Sequence, residues 1–350
     1  MPGNGLEIRE EVALAPLTTF GVGGAARFFV VAKSEADVAQ AVAWATERGL
    51  PLFVLGGGSN LLVRDEGFDG LVMQMVIGSI KDLGKGLFDV GAGESWDGFV
   101  QRMVDADYAG VECMAGIPGS VGGTPVQNVG AYGQEVSETI ESVRTFDRKA
   151  GKFVELAKDK CRFRYRQSRF NTDEPGRFIV TRVRFRLRRG GVATLKYAEL
   201  QKRVSELASQ QVSLAEVAKT VREIRRGKGM LLVEGDAESH TAGSFFKNPL
   251  VEAEMVASIA AAAGVAAEKV PHWPAGSGKI KLPAAWLLER AGFVKGWGSG
   301  AVGISSRHTL ALVNRGGATF ADVIRVKCEI ADGVWEKFGI RLEREPVVMR

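Results

Sequence analysis

Cysteine is scarce. The 350 residues hold three, Cys113, Cys161 and Cys328, far apart and with no CxxC pair. That excludes a disulfide framework and a cysteine metal knuckle, and it fits a reducing compartment. Histidine is as thin: His240, His272 and His308 stand beside no cysteine in a metal pattern and read as structural or surface residues, so no metal site is expected. No apolar run is long. The longest, residues 255–267, is alanine-rich and too short to cross a bilayer. The start, Met1–Glu10, is polar and lacks the apolar core of a signal peptide. A soluble, cytoplasmic chain without membrane insertion is the expectation. Internal repeats and low-complexity tracts are missing too, and 45% hydrophobic with 25% charged residues excludes wholesale disorder.

Glycine, by contrast, is abundant: 44 residues, against a norm of about 7%. The glycines cluster between apolar runs, as tight turns and close backbone approach to a ligand require. Charge is uneven within a net +5. Between residues 160 and 190, ten arginines and Lys160 meet only Asp173 and Glu174. A nucleic-acid surface or a site for an acidic small molecule would both suit that excess. A plainer reading covers part of it. Arg182, Arg184, Arg186 and Arg188 alternate with Val183, Phe185 and Leu187, the pattern of a strand with one buried and one solvated face.

Elements can be placed along the chain. Residues 34–49 read as a helix, with Ser34 as cap, Val38, Val42 and Ala45 on one face and Gly49 as stop. Residues 51–55 and 61–63 read as extended segments joined by residues 56–60. A strand is expected at 87–90, a helix at 96–107, and mainly strands from Gly133 to Arg189. Near residue 213 the texture becomes helical. Ser213-Leu-Ala-Glu216 is a capping box ahead of Val217, Val221 and Ile224, and the helix ends in Arg225-Arg-Gly-Lys228, cations near the negative end of its dipole. Further helices are expected at 252–263, at 283–291 with Pro283 in the first turn, and at 320–338 behind Thr319 as cap, with Val323, Val326, Ile330 and Val334 on one face. A strand-rich half followed by a helix-rich half predicts packed α+β domains.

Gly21-Val-Gly-Gly-Ala-Ala26 matches a dinucleotide fingerprint, which works only between a strand and a helix N-terminus. Here Pro16-Leu-Thr-Thr19 enters and the strand-like Arg27-Phe-Phe-Val-Val31 leaves, so a Rossmann site is not expected. Gly56-Gly-Gly-Ser-Asn60 can turn its amides onto an anion, although a hairpin turn would also explain it. Residues 115–125 pack four glycines and two prolines with Ser120 and Thr124, followed by Val126-Gln-Asn-Val-Gly-Ala-Tyr-Gly133. Prolines fix the path and glycines permit close approach, which suits wrapping a ligand.

With these loops the chain resembles the bacterial UDP-N-acetylenolpyruvoylglucosamine reductase (UDP-N-acetylmuramate dehydrogenase) family. The motifs are Thr19-Phe-Gly-Val-Gly23, Leu55-Gly-Gly-Gly-Ser-Asn-Leu61, Gly116-Ile-Pro-Gly-Ser-Val-Gly122, Gln127-Asn-Val-Gly-Ala-Tyr-Gly133 and Gly243-Ser-Phe-Phe-Lys-Asn-Pro249, in the family's order from about residue 17 to 346. The resemblance implies an α+β, FAD-binding fold of the vanillyl-alcohol-oxidase type with two α+β subdomains, residues 1–72 and 73–212. A C-terminal α+β substrate domain, residues 213–350, would follow. It implies FAD as cofactor, held by Leu55, Gly56, Gly57, Gly58, Ser59, Asn60, Leu61, Gly119, Ser120, Gly122, Thr124, Gln127, Gly130, Ala131 and Tyr132. The glycine loops contain neither His nor Cys, so the FAD is expected to be noncovalent. NADPH is the implied reductant. The implied substrate is UDP-N-acetylglucosamine enolpyruvate, reduced to UDP-N-acetylmuramate for peptidoglycan. A monomer that binds no nucleic acid is expected.

Hydride addition at C3 of the enolpyruvyl group leaves charge at C2 and on the carboxylate, so a proton donor and cations are needed. By the resemblance, Ser244 is the donor; the plainer reading is a serine capping a turn before Phe245-Phe246. Glu345 matches the C-terminal catalytic glutamate. Glu343 would share its strand face, so that choice rests on the match. Arg166 matches the active-site arginine, whose planar fork suits a carboxylate, and Tyr165 is expected near it. Lys160, Arg162, Arg164 and Arg169 read as solvated or structural. Tyr197 matches the tyrosine that closes over substrate in one subgroup. Lys228, Lys247, Asn248 and Glu289 match polar positions of the substrate cleft, Lys228 also being explicable by its helix end. The chain stops five residues after Glu345, which leaves the bracing of that residue open, and the stretch before Gly243 departs from the family's usual form. The alternative is another FAD-dependent oxidase or dehydrogenase of the same fold.

Overall fold

The computed structural model describes residues 6–206 and 212–349. Half of the polar start and part of the stretch before the expected boundary at residue 212 therefore lie outside the described residues. The chain forms two compact units. The first comprises residues up to Val12, Ala26–Gly58 and Phe68–Arg226; the second comprises Ala13–Ala25, Ser59–Gly67 and Gly227–Arg350.

In the first unit, a four-stranded sheet runs in the order Arg9–Ala13, Ala25–Ala32, Phe68–Met75, Leu52–Leu55, the last three mutually parallel. The helix Glu35–Glu47 covers it. Ser34 and Asp37 close a reciprocal capping box, as Ser-x-x-Asp spacing allows. Val38, Ala41, Val42 and Ala45 enter the core with Val30, Leu71 and Met73. A second sheet is antiparallel, in the order Lys152–Ala157, Ile140–Asp147, Phe178–Arg186, Leu87–Gly91, Ile80–Asp82. The helix Trp96–Asp105, capped by Ser95, lies against it, with Trp96, Phe99 and Phe185 at centroid distances of 4.9–5.9 Å. The helix Leu214–Gly227 begins at the expected Ser213/Glu216 box and buries Val217, Val221 and Ile224 in this same core. Each of those side chains contributes roughly 1.5–3 kcal/mol.

The alternation at 182–187 is present, but the solvated-face reading of its arginines needs correction at Arg182 and Arg184. Val183, Phe185 and Leu187 are buried as expected. Arg182 sits on Asp89, Arg184 on Glu155 at 3.3 Å, and Arg186 on Glu141 at 2.6 Å. Carboxylates from other strands pair with this face, and Arg182 and Arg184 are partly buried; Arg186 and Arg188 are exposed, as the solvated reading has them. Arg162 and Arg164 share Asp173, and Arg169 and Arg177 share Glu174, so the basic excess is largely committed inside the fold.

The second unit contains more strand than the helix-rich reading allowed. Thr241–Ser244, Ala311–Asn314 and Val302–Ile304 make one antiparallel sheet, and Leu250–Glu252, Lys279–Lys281 and Trp273–Gly276 another. Val347–Met349 runs parallel to Leu61–Val63. Short three- or four-residue strands carry too little alternation to be seen in sequence. The helix Phe320–Phe338 occurs at the expected bounds, with Thr319 and Asp322 in a capping box and Val323, Val326, Ile330 and Val334 buried. Two other helices are shorter than expected. Val256–Ala263 starts later because Glu252 ends a strand and Ala253–Met255 form a 3-10 turn, and Pro283 is the cap residue of Ala284–Arg290 rather than part of its first turn. The fingerprint-like residues 21–26 lead into the strand Ala25–Ala32, with no helix to meet a phosphate.

Candidate cofactor and substrate sites

Within the first unit, residues 56–58 of the first glycine-rich loop touch the second loop through backbone. A Cβ added at Gly57 would lie 2.6 Å from Gly119 Cα and 3.1 Å from Ser120 N; one at Gly56 would lie 2.6 Å from Ser120 Oγ. Only glycine permits that approach. Gly122 is pressed equally close to Ala92, and Gly130 to the Gln134 carbonyl. Gly58, Gly116 and Gly119 take positive φ. Polar groups clamp the start of the second loop. Gly116 N donates to Asp97 Oδ1 at 2.6 Å, and Arg222 forks onto the same carboxylate at 2.7 and 2.8 Å. Gly116 O accepts from Arg225 Nε at 3.1 Å.

Arg225 is a residue the sequence reading missed. In sequence, its place at the helix end reads as dipole compensation, yet the side chain is 9% exposed, and burial lowers the pKa of its guanidinium. The available signal was position: Arg225 follows Val217, Val221 and Ile224 on the apolar face, where a solvated cation does not belong.

Residues 164–167 form a tight hairpin, with Arg164 N to Gln167 O at 2.9 Å and the reverse bond at 3.0 Å. Tyr165 and Arg166 are its tip, and Arg166 takes φ +55°. Its guanidinium donates to the Gly130 carbonyl at 2.9 Å and lies 5.3 Å from the Tyr165 ring centroid. Tyr165 and Arg166 thus lie together, and Arg166 abuts the second glycine loop. At the far end of that loop Tyr132 meets Tyr197 edge-on, with ring centroids 5.4 Å apart. Burial pushes the Tyr132 phenol up to about 12, and burial followed by Glu199 raises that of Tyr197. Both phenols therefore stay neutral donors at physiological pH. Beneath them the fully buried Glu112 accepts from Gly110 N, Gln134 Nε2 and Thr194 N at 2.7–2.8 Å, tying the Tyr197 segment to the loop.

In the second unit, Ser244 ends its strand opposite Ala311. The next residues pair with the chain's last turn toward its end. Glu345 N donates to Phe245 O at 2.8 Å, Lys247 N donates to Glu343 O at 2.9 Å, and Phe246 bridges Arg344. Ser244 and Glu345 are thus neighbours across a backbone pairing. Glu343 is 76% exposed at its side chain and is held by Lys247 Nζ at 3.2 Å, whereas Glu345 is half-buried. Asn60 O accepts from Val347 N at 2.9 Å, and Asn60 Nδ2 reaches Glu345 O at 3.5 Å. The short tail braces Glu345 through these bonds and the Leu61–Val63 pairing. Asn248 Oδ1 caps the helix Ala284–Arg290 through Ala284 N at 2.9 Å, and Glu289 accepts from Thr309 Oγ1 at 2.6 Å. Lys228 lies in the turn just past Leu214–Gly227.

The chain is similar to known proteins over nearly its whole length. The family description "UDP-N-acetylenolpyruvoylglucosamine reductase, C-terminal domain" matches residues 236–349, and "FAD binding domain" matches residues 26–157. The UDP-N-acetylenolpyruvoylglucosamine reductase of Streptomyces coelicolor is 46% identical, over 100% of this chain and 93% of its own. That of Thermobifida fusca is 46% identical over 97% of both. The crystal structure of the UDP-N-acetylenolpyruvylglucosamine reductase from Thermus caldophilus superposes with a TM-score of 0.68 at 28% identity, covering 99% of this chain and 100% of that one. The expected α+β class, an FAD-binding part followed by a C-terminal α+β domain, stands. The residues present suit FAD. Glycine at 56 and 57 lets the two loops pack backbone to backbone, where a Cβ would clash, and glycine-rich backbone of this kind can turn its amides onto a pyrophosphate.

Proposed function

Because the chain belongs to the UDP-N-acetylenolpyruvoylglucosamine reductase family, we propose that it reduces UDP-N-acetylglucosamine enolpyruvate to UDP-N-acetylmuramate, with NADPH as reductant. The product would feed peptidoglycan synthesis. When bound, FAD supplies hydride chemistry at the vinyl carbon. The amides of residues 55–61 and 119–132 hold it without a covalent link. Ser244 delivers the proton to C2 of the enolpyruvyl group. Arg166 presents a two-donor fork to the substrate carboxylate, where negative charge grows as the new C–H bond forms. Glu345 sits next to Ser244 along the paired strands and orients the same end of the substrate. Tyr197, Lys228, Lys247, Asn248 and Glu289 hold the nucleotide sugar.

The observation that carries this reading is the backbone pairing of residues 245–247 with 343–345. Glu345 pairs with the residue next to Ser244, a hundred residues away in sequence, and this backbone proximity supports a shared role at one end of the substrate. Ser244→Ala tests it. In single-turnover experiments NADPH should still bleach the flavin, since that half-reaction needs no proton at C2. Reoxidation by the enolpyruvyl substrate should slow by about 10²–10⁴, or roughly 3–5 kcal/mol of barrier. Equal loss in both half-reactions would make Ser244 a structural residue.

A further inference from the structure

The strand that ends at Ser244 is bulged. Thr241 lies opposite Val313 and Ser244 opposite Ala311, so an extra residue sits on the Ser244 strand between the two pairs. Gly243, within it, takes φ +74°. A bulge re-aims the side chain that follows and leaves ladder groups without their usual partners. On the edge of this strand facing away from Ala311–Asn314, the Thr241 carbonyl is taken by a side chain far away in sequence: Thr19 Oγ1 donates to it at 2.6 Å. The same hydroxyl lies 3.4 Å from the Ser59 carbonyl in the first glycine-rich loop. A hydroxyl has one hydrogen, and the two distances assign it to Thr241.

Thr19 is itself firmly held. Phe20 is fully buried and packs in the core that contains Phe245 and Phe246. Asn314 Nδ2 donates to the Phe20 and Gly21 carbonyls at 3.0 and 3.3 Å, while Asn314 N donates to His240 O. Gly21 N donates to Thr18 Oγ1 at 3.1 Å. The Thr19 hydroxyl therefore reaches the bulge from a fixed backbone rather than from a loose loop.

We propose that Thr19 is a positioning residue for the reduction: its hydroxyl holds the bulge that presents Ser244. The inference rests on Ser244 being the proton donor. Removing the hydroxyl leaves the Thr241 carbonyl without this donor and frees the bulge to relax. A shift of about 1 Å at a reacting group costs up to ~10² in rate.

The test compares Thr19→Val with Thr19→Ser in the FAD-loaded protein. Thr19→Val should leave NADPH bleaching of the flavin within about twofold and slow reoxidation by the enolpyruvyl substrate by roughly 10–10²-fold. Thr19→Ser, which keeps the donor, should restore most of that rate. Amide hydrogen exchange across residues 242–245, measured without substrate, should quicken by about tenfold in Thr19→Val, as local opening becomes easier. Gly243→Ala should give the same kinetic split with Thr19 intact. No atom lies within 4 Å of its added Cβ, so it perturbs the conformation alone, and it serves if Thr19→Val does not fold. Unchanged reoxidation and exchange in Thr19→Val, equal loss in both half-reactions, or no recovery in Thr19→Ser would overturn the inference. Ser244→Ala is run alongside. If it reoxidises normally, the reading of Ser244 fails and the inference resting on it falls with it. If it is slow while Thr19→Val is normal, only the role of Thr19 is refuted.

Discussion

Gly57→Ala should loosen the hold on FAD without unfolding the protein. The added Cβ would sit 2.6 Å from Gly119 Cα, 2.9 Å from Gly119 C and 3.1 Å from Ser120 N. Non-bonded carbons settle at about 3.5–4.0 Å, so the two loops must part by about 1 Å. Every obstructing atom is backbone, and none can rotate aside as a flexible side chain would. Overpacking of this kind costs about 1–3 kcal/mol. If the strain is relieved by opening the cradle, FAD affinity falls by roughly 5–150-fold. Titrating apoprotein with FAD and following the flavin fluorescence measures it. Gly98→Ala is the control: its Cβ would meet Ser95 at an ordinary 3.4 Å inside a helix, and FAD affinity should not change. Wild-type affinity in Gly57→Ala, or an equal loss in Gly98→Ala, would refute the assignment of these loops to the cofactor.

Arg166→Lys should weaken handling of the substrate carboxylate by about 10–10²-fold in kcat/KM, because an ammonium cannot replace the fork; near-normal steady-state kinetics would give the arginine another role. Met349 is fully buried on the strand that braces Glu345. Met349→Ala should therefore cost about 2–4 kcal/mol of stability in urea unfolding, and a loss under 1 kcal/mol would mean the tail contributes little. The Arg177 guanidinium, with the amides of Ala150 and Lys149, holds the Asp147 carboxyl down to about 2. Because the folded value lies below the unfolded one, the stabilisation is complete above about pH 4 and disappears as the pH falls through 2. The stability gap between wild type and Asp147→Asn should close over that window in acid-unfolding curves; a gap independent of pH would show that the ion pair is not its source.

Much of this was legible in the sequence, for identifiable reasons. Helices with caps and a full apolar face, Glu35–Glu47 and Phe320–Phe338, could be placed closely because local chemistry and burial agree there. The short strands of the second unit were not visible, since three residues cannot display a period. The Arg182–Arg186 face was legible as alternation but not as a paired surface. Its partners Asp89, Glu141 and Glu155 come from three other strands, and pairing between strands is not written in any one of them. The same limit hid Arg225, whose surroundings are set by the Gly116 loop, and Thr19, whose acceptor is 222 residues away. Between Glu343 and Glu345 the sequence offered only a resemblance. The fold adds a physical difference: one is exposed and paired with Lys247, the other half-buried and tied to Asn60 and Phe245.

The most direct test of the central claim is the visible spectrum of the purified protein under anaerobic conditions. The protein should be yellow, with flavin absorbance that bleaches when NADPH is added and returns on addition of UDP-N-acetylglucosamine enolpyruvate. A colourless protein that cannot be reconstituted with FAD, or a reduced flavin that this substrate fails to reoxidise, would contradict that claim.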